Sequence, residues 1–511
     1  MSTAGERAAA SAAGPLVIAS NRLPVRLAEA GRGRFRLAAS DGGLVAALAG
    51  MGVERQWVGW PGAVVPRSQE AALRTQLARR GLHPVLLDRG AEAGYYGRMC
   101  NEVLWPLFHG LPGRARDPGG AWHTYARVNE CFADVLAEQA PPGAQVWVHD
   151  FHLLLVPAAL RRRRPDVAIG FFLHIPFPPA ALFGLLPRGG ELLAGLLGAD
   201  AIGFHTSAYV HHFRSACLQL LGAASTPTGI ARDGRLVQLA ADPAGIDNGL
   251  LRGALHHPAF RAQAALLEER LAGRRLVLGV DRLDYAKGVP QKLRAFERYL
   301  EAAPERAGTT LLVQVLVPSR LQSAGYRDER QAIQQECTRI NARFGAARPV
   351  VECIHGALPL VELAALYRRA DVMAVTPLCD GMNLVAQEFA ACQAAAPGLP
   401  GRARGALVLS EFAGAAQHLP GALLVDPADV AGTAARLGEA LELTPCERTR
   451  RLDLLGAAVE RLDSAGWAAR CLARIPGGAA DRYAAAGRSA TATSRLPAGS
   501  RSVMPSPAGS T

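Results

Sequence analysis

Residues 275–288 read RLVLGVDRLDYAKG, an apolar run followed by a polar loop. The run at 275–280 is short and rich in aliphatic side chains, which is typical of a buried strand. Open α/β sheets bind their ligands beyond the carboxyl ends of such strands. Arg282 and Lys287, the two cations of the loop, are therefore candidates for binding an anionic group. The alternative interpretation is an exposed loop with two solvated cations.

Lysine is used very sparingly in this chain. Of its 56 Lys and Arg residues, only Lys287 and Lys292 are lysines. Arginine serves wherever a generic positive charge is needed, so a lysine kept in a turn beside Arg282 indicates a site for a compact ammonium group.

The strand at 275–280 is one of many short apolar runs that alternate with helical patterns. Such alternation predicts parallel sheets covered by helices on both faces. A polar stretch at 242–248 divides the chain into two doubly wound units, which form a cleft suited to two-substrate transfer when it closes. The other predicted strands are 16–19, 145–148, 168–173, 201–204, 311–317, 350–354, 372–375, 406–409 and 422–425. Representative predicted helices are 128–138, 290–300 and 360–369.

Composition narrows the class of protein further. The net charge of +12 over 511 residues favours anionic partners, but the basic residues do not alternate with aromatic ones, so nucleic-acid binding is not expected. The nine cysteines are scattered without a Cys-x-x-Cys pair, which indicates neither a disulfide framework nor a zinc site. No apolar run is long enough to span a bilayer, and residues 1–14 lack the apolar segment of a secretory signal. We expect a cytoplasmic protein with no membrane partner, with disordered ends at 1–14 and 476–511.

Two common nucleotide-binding motifs are missing. No Gly-x-Gly-x-x-Gly follows the first predicted strand, which disfavours a dinucleotide oxidoreductase. Neither lysine is followed by Ser or Thr, so the chain has no P-loop. Phosphoryl transfer by that route is excluded.

Four more polar loops follow predicted strands. The first, 20–24, precedes Gly42 and Gly43, and paired glycines that open a helix let backbone amides approach an anion closely. The second reads His-Asp-Phe-His at 149–152. Its central Asp150 is interpreted as an acceptor for sugar hydroxyls or a catalytic carboxylate, with a metal site as the alternative.

The remaining two loops carry a histidine and an anion pocket. The third reads FLHIPFP at 172–178, where two prolines end the strand and fix His174 at the sheet edge. The fourth reads LCDGMNLVAQE at 378–388, a tight turn that leads into a helix. The free amides of the first helical turn suit a pyrophosphate, and Glu388 is placed to accept hydrogen bonds from ribose hydroxyls.

Together these five loops resemble the trehalose-6-phosphate synthase family, with matching order and spacing over roughly residues 15–465. The resemblance implies a GT-B fold, with an acceptor-binding Rossmann-like domain at 15–248 and a nucleotide-sugar-binding one at 249–475. It implies transfer of glucose from a nucleotide-glucose, usually UDP-glucose, to glucose 6-phosphate with retention at the anomeric carbon. It also implies front-face attack without an obligatory metal or cofactor, and a homo-oligomer, either a dimer or a tetramer.

The resemblance also assigns roles to individual residues. Arg282 and Lys287 would neutralise the donor diphosphate, and Asp380 and His174 would hold the donor glucose. Residues implied in donor binding are Gly42, Gly43, His174, Arg282, Lys287, Leu358, Asp380, Gly381, Met382, Asn383, Leu384, Val385 and Glu388. Residues implied in acceptor binding are Arg22, Tyr96, Trp105, Asp150 and Arg320. Residues implied in catalysis are Asp150, His174, Arg282, Lys287 and Asp380.

Three positions depart from the family pattern. Cys379 stands where the family typically has Arg, Gln387 where it has Lys or Arg, and Leu358 where a bulkier residue flanks the base. These departures leave open the choice among UDP-, GDP- and ADP-glucose. Two alternatives also stay open: a related GT-B enzyme with another acceptor, such as a glucosylglycerol-phosphate synthase or a cyclitol pseudo-glycosyltransferase, and a non-catalytic phosphosugar sensor.

Overall fold

The computed structural model describes residues 15–29, 35–39, 55–318, 324–345, 348–395 and 404–477. The predicted disordered end at 1–14 and all but the first two residues of 476–511 lie outside the described residues. So do three predicted site residues, Gly42, Gly43 and Arg320.

Two sheets form the centres of two lobes, as the alternating pattern predicts. The first sheet has the strand order β5-β4-β1-β6-β7-β8-β11-β10-β9, and the second has the order β14-β13-β12-β15-β16-β17. The second is parallel throughout, and the first is parallel except at its β9-β10-β11 edge. A separate hairpin pairs β2 with β3. The strands are β1 (Leu16–Arg22), β2 (Val25–Glu29), β3 (Phe35–Ala39), β4 (Arg55–Trp60), β5 (Leu82–Pro84), β6 (Gln145–His149), β7 (Ala168–Phe172), β8 (Ala201–Phe204), β9 (Ala224–Ser225), β10 (Gly229–Arg232), β11 (Arg235–Ala241), β12 (Arg275–Arg282), β13 (Thr310–Val317), β14 (Val351–His355), β15 (Val372–Val375), β16 (Ala406–Ser410) and β17 (Leu423–Val425).

Helices cover both faces of each sheet. The described α-helices are α1 (Arg67–Ala78), α2 (Arg89–Ala91), α3 (Trp105–Phe108), α4 (Ala121–Gln139), α5 (Val156–Arg163), α6 (Ala180–Phe183), α7 (Gly189–Leu196), α8 (Ser207–Leu221), α9 (Asn248–His256), α10 (Pro258–Leu271), α11 (Val289–Ala302), α12 (Ala324–Phe344), α13 (Leu360–Arg369), α14 (Leu384–Ala394), α15 (Val430–Glu442), α16 (Pro445–Arg461) and α17 (Ser464–Ala473). A π-helical segment, Glu92–Leu104, leads into α3.

The burial pattern of the strands explains the layers. In β1, Val17 and Ala19 belong to the core on one face of the first sheet, while Leu16 and Ile18 belong to the core on the other. Successive side chains of a strand point to opposite faces, so a strand that is apolar throughout is buried on both.

The last helix crosses back to the first lobe. Residues 242–247 connect β11 to α9 in the second lobe, but Trp467 and Leu472 of α17 pack into the core around Ile18 and Trp147. The side-chain amide of Gln145 donates to the Ile475 carbonyl at 2.8 Å. The predicted range 249–475 assigns this helix to the second lobe, whereas its apolar face is buried by the first.

Candidate active site

The carboxyl ends of the parallel strands of both sheets face each other at the lobe boundary. Asp150 and His174 follow β6 and β7 of the first sheet, and Lys287 and Asp380 follow β12 and β15 of the second. The hydroxyl of Tyr209, in the first lobe, donates to the Asp380 carbonyl at 3.1 Å. The structure therefore brings these four predicted residues to the boundary between the two lobes.

Lys287 and Asp380 form an ion pair in this boundary. The Lys287 Nζ is 2.5 Å from Asp380 Oδ2, and the side chains are only 11% and 14% exposed. Burial of the Asp380 carboxyl opposes its ionisation, but the charge and hydrogen bond of Lys287 outweigh that effect and hold its pKa below the usual value. The site thus holds Asp380 as a carboxylate in a largely buried pair with Lys287.

The turn that carries Lys287 is held by Asp284. Its Oδ1 accepts a hydrogen bond from the Ala286 amide at 3.1 Å, and Gly288 closes the turn with φ at 64°. A left-handed residue at this point favours glycine, because a Cβ there would be strained. The turn therefore fixes the direction of the Lys287 side chain.

Asn383 organises the start of α14 opposite that turn. It is left-handed with φ at 80°, and its Oδ1 accepts from the Ala386 amide at 3.2 Å. Its Nδ2 donates to Asp380 Oδ2 at 2.9 Å. The amides of Leu384 and Val385 lie in the first turn of this helix, where the positive end of the helix dipole favours an anion.

Three further residues that were predicted to bind the donor lie in the second lobe. Glu388 is half-buried and its Oε2 accepts from the Tyr367 hydroxyl at 2.8 Å, while burial raises the pKa of the Glu388 carboxyl. Met382 belongs to the core of the second lobe, and Leu358 is partly buried against it. Glu388 is therefore oriented by a neighbour before any ligand contact.

His174 lies in a buried cluster of rings. Its Nε2 is 3.1 Å from Nδ1 of His149, and the ring of Trp467 from α17 is 5.7 Å away. Burial and the neighbouring imidazoles hold the pKa of His174 well below its usual value, and burial lowers that of His149 to about 3. Both rings are uncharged at neutral pH, so one donates to the other.

Asp150 has an unusual backbone. Its φ is 76°, a left-handed value that is uncommon for a residue other than glycine. Its Oδ1 accepts from the His174 amide at 3.2 Å, and its Oδ2 is 3.8 Å from Nδ1 of His152. Among the residues that the structure describes, no cluster of His, Cys, Asp and Glu is placed to hold a metal ion.

Arg22 and Tyr96 lie together on the acceptor side. The Arg22 guanidinium stacks 3.9 Å from the centre of the Trp60 ring and 5.1 Å from that of Tyr96. Tyr96 also stacks on His152 with centroids 6.0 Å apart. The aromatic rings hold the cation by cation–π attraction and fix where its donors point.

Trp105 was predicted to bind the acceptor, but its side chain is buried. It is only 3% exposed, and its indole nitrogen donates to Asp284 Oδ1 at 3.2 Å. The guanidinium of Arg282 lies 5.3 Å from its ring. Trp105 therefore links the first lobe to the loop that carries Lys287.

Two of the departures from the family pattern have clear positions. Burial raises the pKa of the Cys379 thiol to about 12, so it adds no charge beside Asp380. Gln387 is fully buried and donates to the Ala244 carbonyl at 3.0 Å. Gln387 thus anchors the segment that connects the lobes.

Replacing Gly381 by Ala is expected to lower kcat/KM about a hundredfold. A Cβ at this position would lie 2.2 Å from the His174 carbonyl oxygen and 2.9 Å from the Ile175 Cα. Backbone atoms cannot rotate away, so the loop must shift, and a shift of about 1 Å can cost that much in a transfer reaction. Gly253→Ala is the control, since nothing lies within 4 Å of its added Cβ. Steady-state kinetics of the two variants compare them directly, and equal activities would contradict the expectation.

The buried histidines should make the protein less stable in acid. Burial lowers the pKa of His149 to about 3 and those of His109 and His205 to about 4. The unfolded chain therefore binds more protons than the folded one below pH 6.5, and stability falls as the pH falls, by up to about 1.4 kcal/mol per unit for each group. Glu329, whose pKa burial raises to about 7, acts in the opposite direction.

This acid sensitivity is checked by melting temperatures between pH 7 and pH 4. His149→Phe should flatten the profile, because a phenyl ring fills the same cluster without binding a proton. The exposed His211→Gln is the matched control and should leave it unchanged. A profile in His149→Phe as steep as that of the unmodified protein would refute the assignment.

Several residues that shape the site were missed by the sequence analysis. Trp60 holds Arg22, Asp284 holds the lysine turn, and Trp467 packs under His174. Asp284 could have been found, since it lies inside the quoted loop. Trp60 and Trp467 carry no local signal, because their partners are far away in the sequence.

The sequence and the fold are both similar to those of known proteins. The model of glycosyltransferase family 20 matches residues 14–476. The α,α-trehalose-phosphate synthase (UDP-forming) of Emericella nidulans is 40% identical over 460 residues, covering 88% of this chain and 90% of that protein.

Solved structures agree in fold. An α,α-trehalose-phosphate synthase (UDP-forming) from Burkholderia xenovorans, in complex with glucose-6-phosphate, superposes with a TM-score of 0.80 at 32% identity, covering 89% of this chain and 98% of that one. An E. coli protein bound with UDP-2-fluoro glucose has a TM-score of 0.78 at 30% identity, covering 89% and 97%. These matches confirm the predicted GT-B architecture. The chain is a glycosyltransferase and belongs to glycosyltransferase family 20.

Proposed function

We propose that this chain transfers glucose from UDP-glucose to glucose 6-phosphate with retention, giving α,α-trehalose 6-phosphate and UDP. The observation that carries the proposal is the meeting of Lys287 and Asp380 with His174 at the facing sheet edges. The proteins it resembles support it, since their names and ligands specify a UDP-forming synthase, glucose-6-phosphate and a UDP-glucose analogue.

The donor side of the proposed site belongs to the second lobe. Arg282 and Lys287 neutralise the diphosphate together with the amides at the start of α14, and Glu388 accepts from the ribose. Asp380 and the neutral ring of His174 hold the glucose. Gly42, Gly43, Leu358, Gly381, Met382 and Asn383 complete the proposed donor set.

The acceptor side belongs mainly to the first lobe. Arg22 and Arg320 bind the phosphate of glucose 6-phosphate, and Tyr96 and Asp150 hold its sugar. Trp105 acts by positioning the donor loop through Asp284, in keeping with its burial.

The proposed reaction breaks the bond between the anomeric carbon and the β-phosphate oxygen and forms one to an acceptor hydroxyl. Attack occurs on the face that the diphosphate leaves, and a phosphate oxygen takes the hydroxyl proton. Preorganised cations stabilise the negative charge that develops on the leaving group. When the lobe boundary closes over the substrates, it excludes water, so that the same cations act more strongly and hydrolysis is suppressed. This scheme uses no metal or other cofactor.

Assembly and location remain predictions. We also propose a homo-oligomer and a cytoplasmic location. No helix of the described residues is long and apolar enough to cross a membrane.

The proposal is tested by UDP release from UDP-glucose, with and without glucose 6-phosphate. We expect release that depends on glucose 6-phosphate and an α,α-linked disaccharide phosphate by NMR. GDP- and ADP-glucose in parallel define the donor preference. Tight binding of both ligands without release would instead favour a phosphosugar sensor, and release with another acceptor would favour a related transferase.

A further inference from the structure

Two cysteine side chains meet outside the proposed active site. Sγ of Cys337, in α12, lies 3.0 Å from Sγ of Cys353, in β14. Both are free and half-buried, and both pack against the core between the second sheet and its outer helices. β14 is the edge strand of that sheet.

The backbone around the two sulfurs is already fixed by Asn341. Its Oδ1 accepts from the amides of Val350 and Val351 at 2.9 and 3.0 Å, and its Nδ2 donates to the Val351 carbonyl at 2.9 Å. Cys337 precedes Asn341 by four residues, so both lie on one face of the helix. Cys353 follows Val351 by two, so both lie on one face of the strand. Three hydrogen bonds therefore hold the two thiols face to face.

This frame places the two sulfurs close to bonding distance. A disulfide joins its sulfurs at about 2.05 Å, so the pair needs to close by only about 1 Å from its 3.0 Å separation. Rotation of the two cysteine side chains is the movement that would close this gap.

The contact also distinguishes the two thiols chemically. Either thiol can be the donor in this contact; with Cys337 as the donor, the pKa of Cys353 is lowered and that of Cys337 is raised. A thiolate is the attacking species in thiol–disulfide exchange. With Cys337 as the donor, Cys353 is the first nucleophile of the pair.

We propose that Cys337 and Cys353 form a reversible intramolecular disulfide by exchange with a small-molecule disulfide such as oxidised glutathione. The Cys353 thiolate attacks one sulfur of that disulfide and releases one thiolate. The Cys337 sulfur then attacks Cys353 Sγ and releases the second. The protein dithiol loses two electrons, the small disulfide gains them, and the two thiol protons pass to the released thiolates.

The bond would fasten a helix that reaches both lobes. Near the start of α12, Tyr326 packs 5.3 Å from Tyr285, within the large core of the first lobe. Glu329, one turn further on, is buried near Arg114 of the first lobe. The disulfide would tie the other half of the same helix to the edge strand of the second sheet and remove loop-closure entropy from the unfolded chain.

The test is incubation of the full chain with oxidised glutathione, alkylation of the remaining thiols and tryptic mapping without reduction. Cleavage places Cys337 in QAIQQECTR, 331–339, and Cys353 in a separate peptide, 344–368. We expect these two peptides to be joined by a disulfide and to separate on reduction. We also expect the apparent melting temperature of the oxidised protein to rise by about 5 °C.

Two variants make the result specific. In Cys337→Ser, Cys353 should stop at a mixed disulfide with glutathione, with no rise in melting temperature. Cys446→Ser, which removes an exposed thiol, should behave like the unmodified protein. Two results would overturn the proposal. One is glutathione attached separately to Cys337 and to Cys353, and the other is alkylation of both thiols, which would show that neither had been oxidised.

Discussion

Replacing Lys287 by Ala is expected to lower kcat for glucose transfer about a thousandfold. The ammonium is the buried cation of the site, and removing one preorganised donor to a developing anion costs a factor of about 10² to 10³. A second effect acts in the same direction. Without Lys287, burial of Asp380 is no longer outweighed to the same extent, so the pKa of that carboxyl rises.

Lys287→Arg is the matched variant, because it keeps the charge but replaces a compact ammonium with a planar, wider group. We expect it to recover part of the activity at most. Rates of UDP release at saturating donor and acceptor, together with melting temperatures, separate lost chemistry from lost folding. Unchanged turnover in Lys287→Ala would remove this residue from the reaction.

Replacing Lys292 by Met is expected to destabilise the protein by about 3–5 kcal/mol. Lys292 Nζ lies 2.6 Å from Asp281 Oδ2, and the two side chains are 0% and 2% exposed. The ammonium also donates to Gln314 Oε1 at 3.2 Å. Removing the lysine leaves a carboxylate inside the second lobe without its counter-charge, which accounts for the large cost.

Urea unfolding measures this loss in the free energy of unfolding, and two control variants test its cause. Arg298→Met breaks an exposed ion pair with Glu301 and should cost under about 1 kcal/mol. Adding Asp281→Asn to Lys292→Met removes the stranded charge and should restore much of the stability. If the effects of Lys292→Met and Asp281→Asn on the free energy of unfolding simply added, the loss would have to come from packing rather than from the unpaired charge.

Of the two lysines, only Lys287 was given a role from the sequence. Their rarity and the strand before them placed Lys287 in the site, and strand–helix alternation predicted both sheets. The same rarity said nothing about Lys292, whose partners Asp281 and Gln314 lie on neighbouring strands. Local patterns identify strands and the loops at their ends, because these depend on spacing along the chain.

The features that could not be predicted depend on contacts between residues that are far apart in the sequence. The apolar residues of α17 do not say by themselves which of the two lobes will bury them. The position of Trp467 under His174, and of Trp60 beside Arg22, follows only when the lobes are assembled. The same is true of the pairing of Trp105 with Asp284 across the lobes.

The return of α17 to the first lobe has a consequence for the order in which the protein is made. A ribosome releases the amino-terminal residues first, and domains generally fold as they emerge. Here the sheet face around Ile18 and Trp147 is completed by Trp467 and Leu472, which are synthesised after the whole second sheet. The amino-terminal lobe must therefore wait, with an apolar face uncovered, until the whole second lobe has left the ribosome.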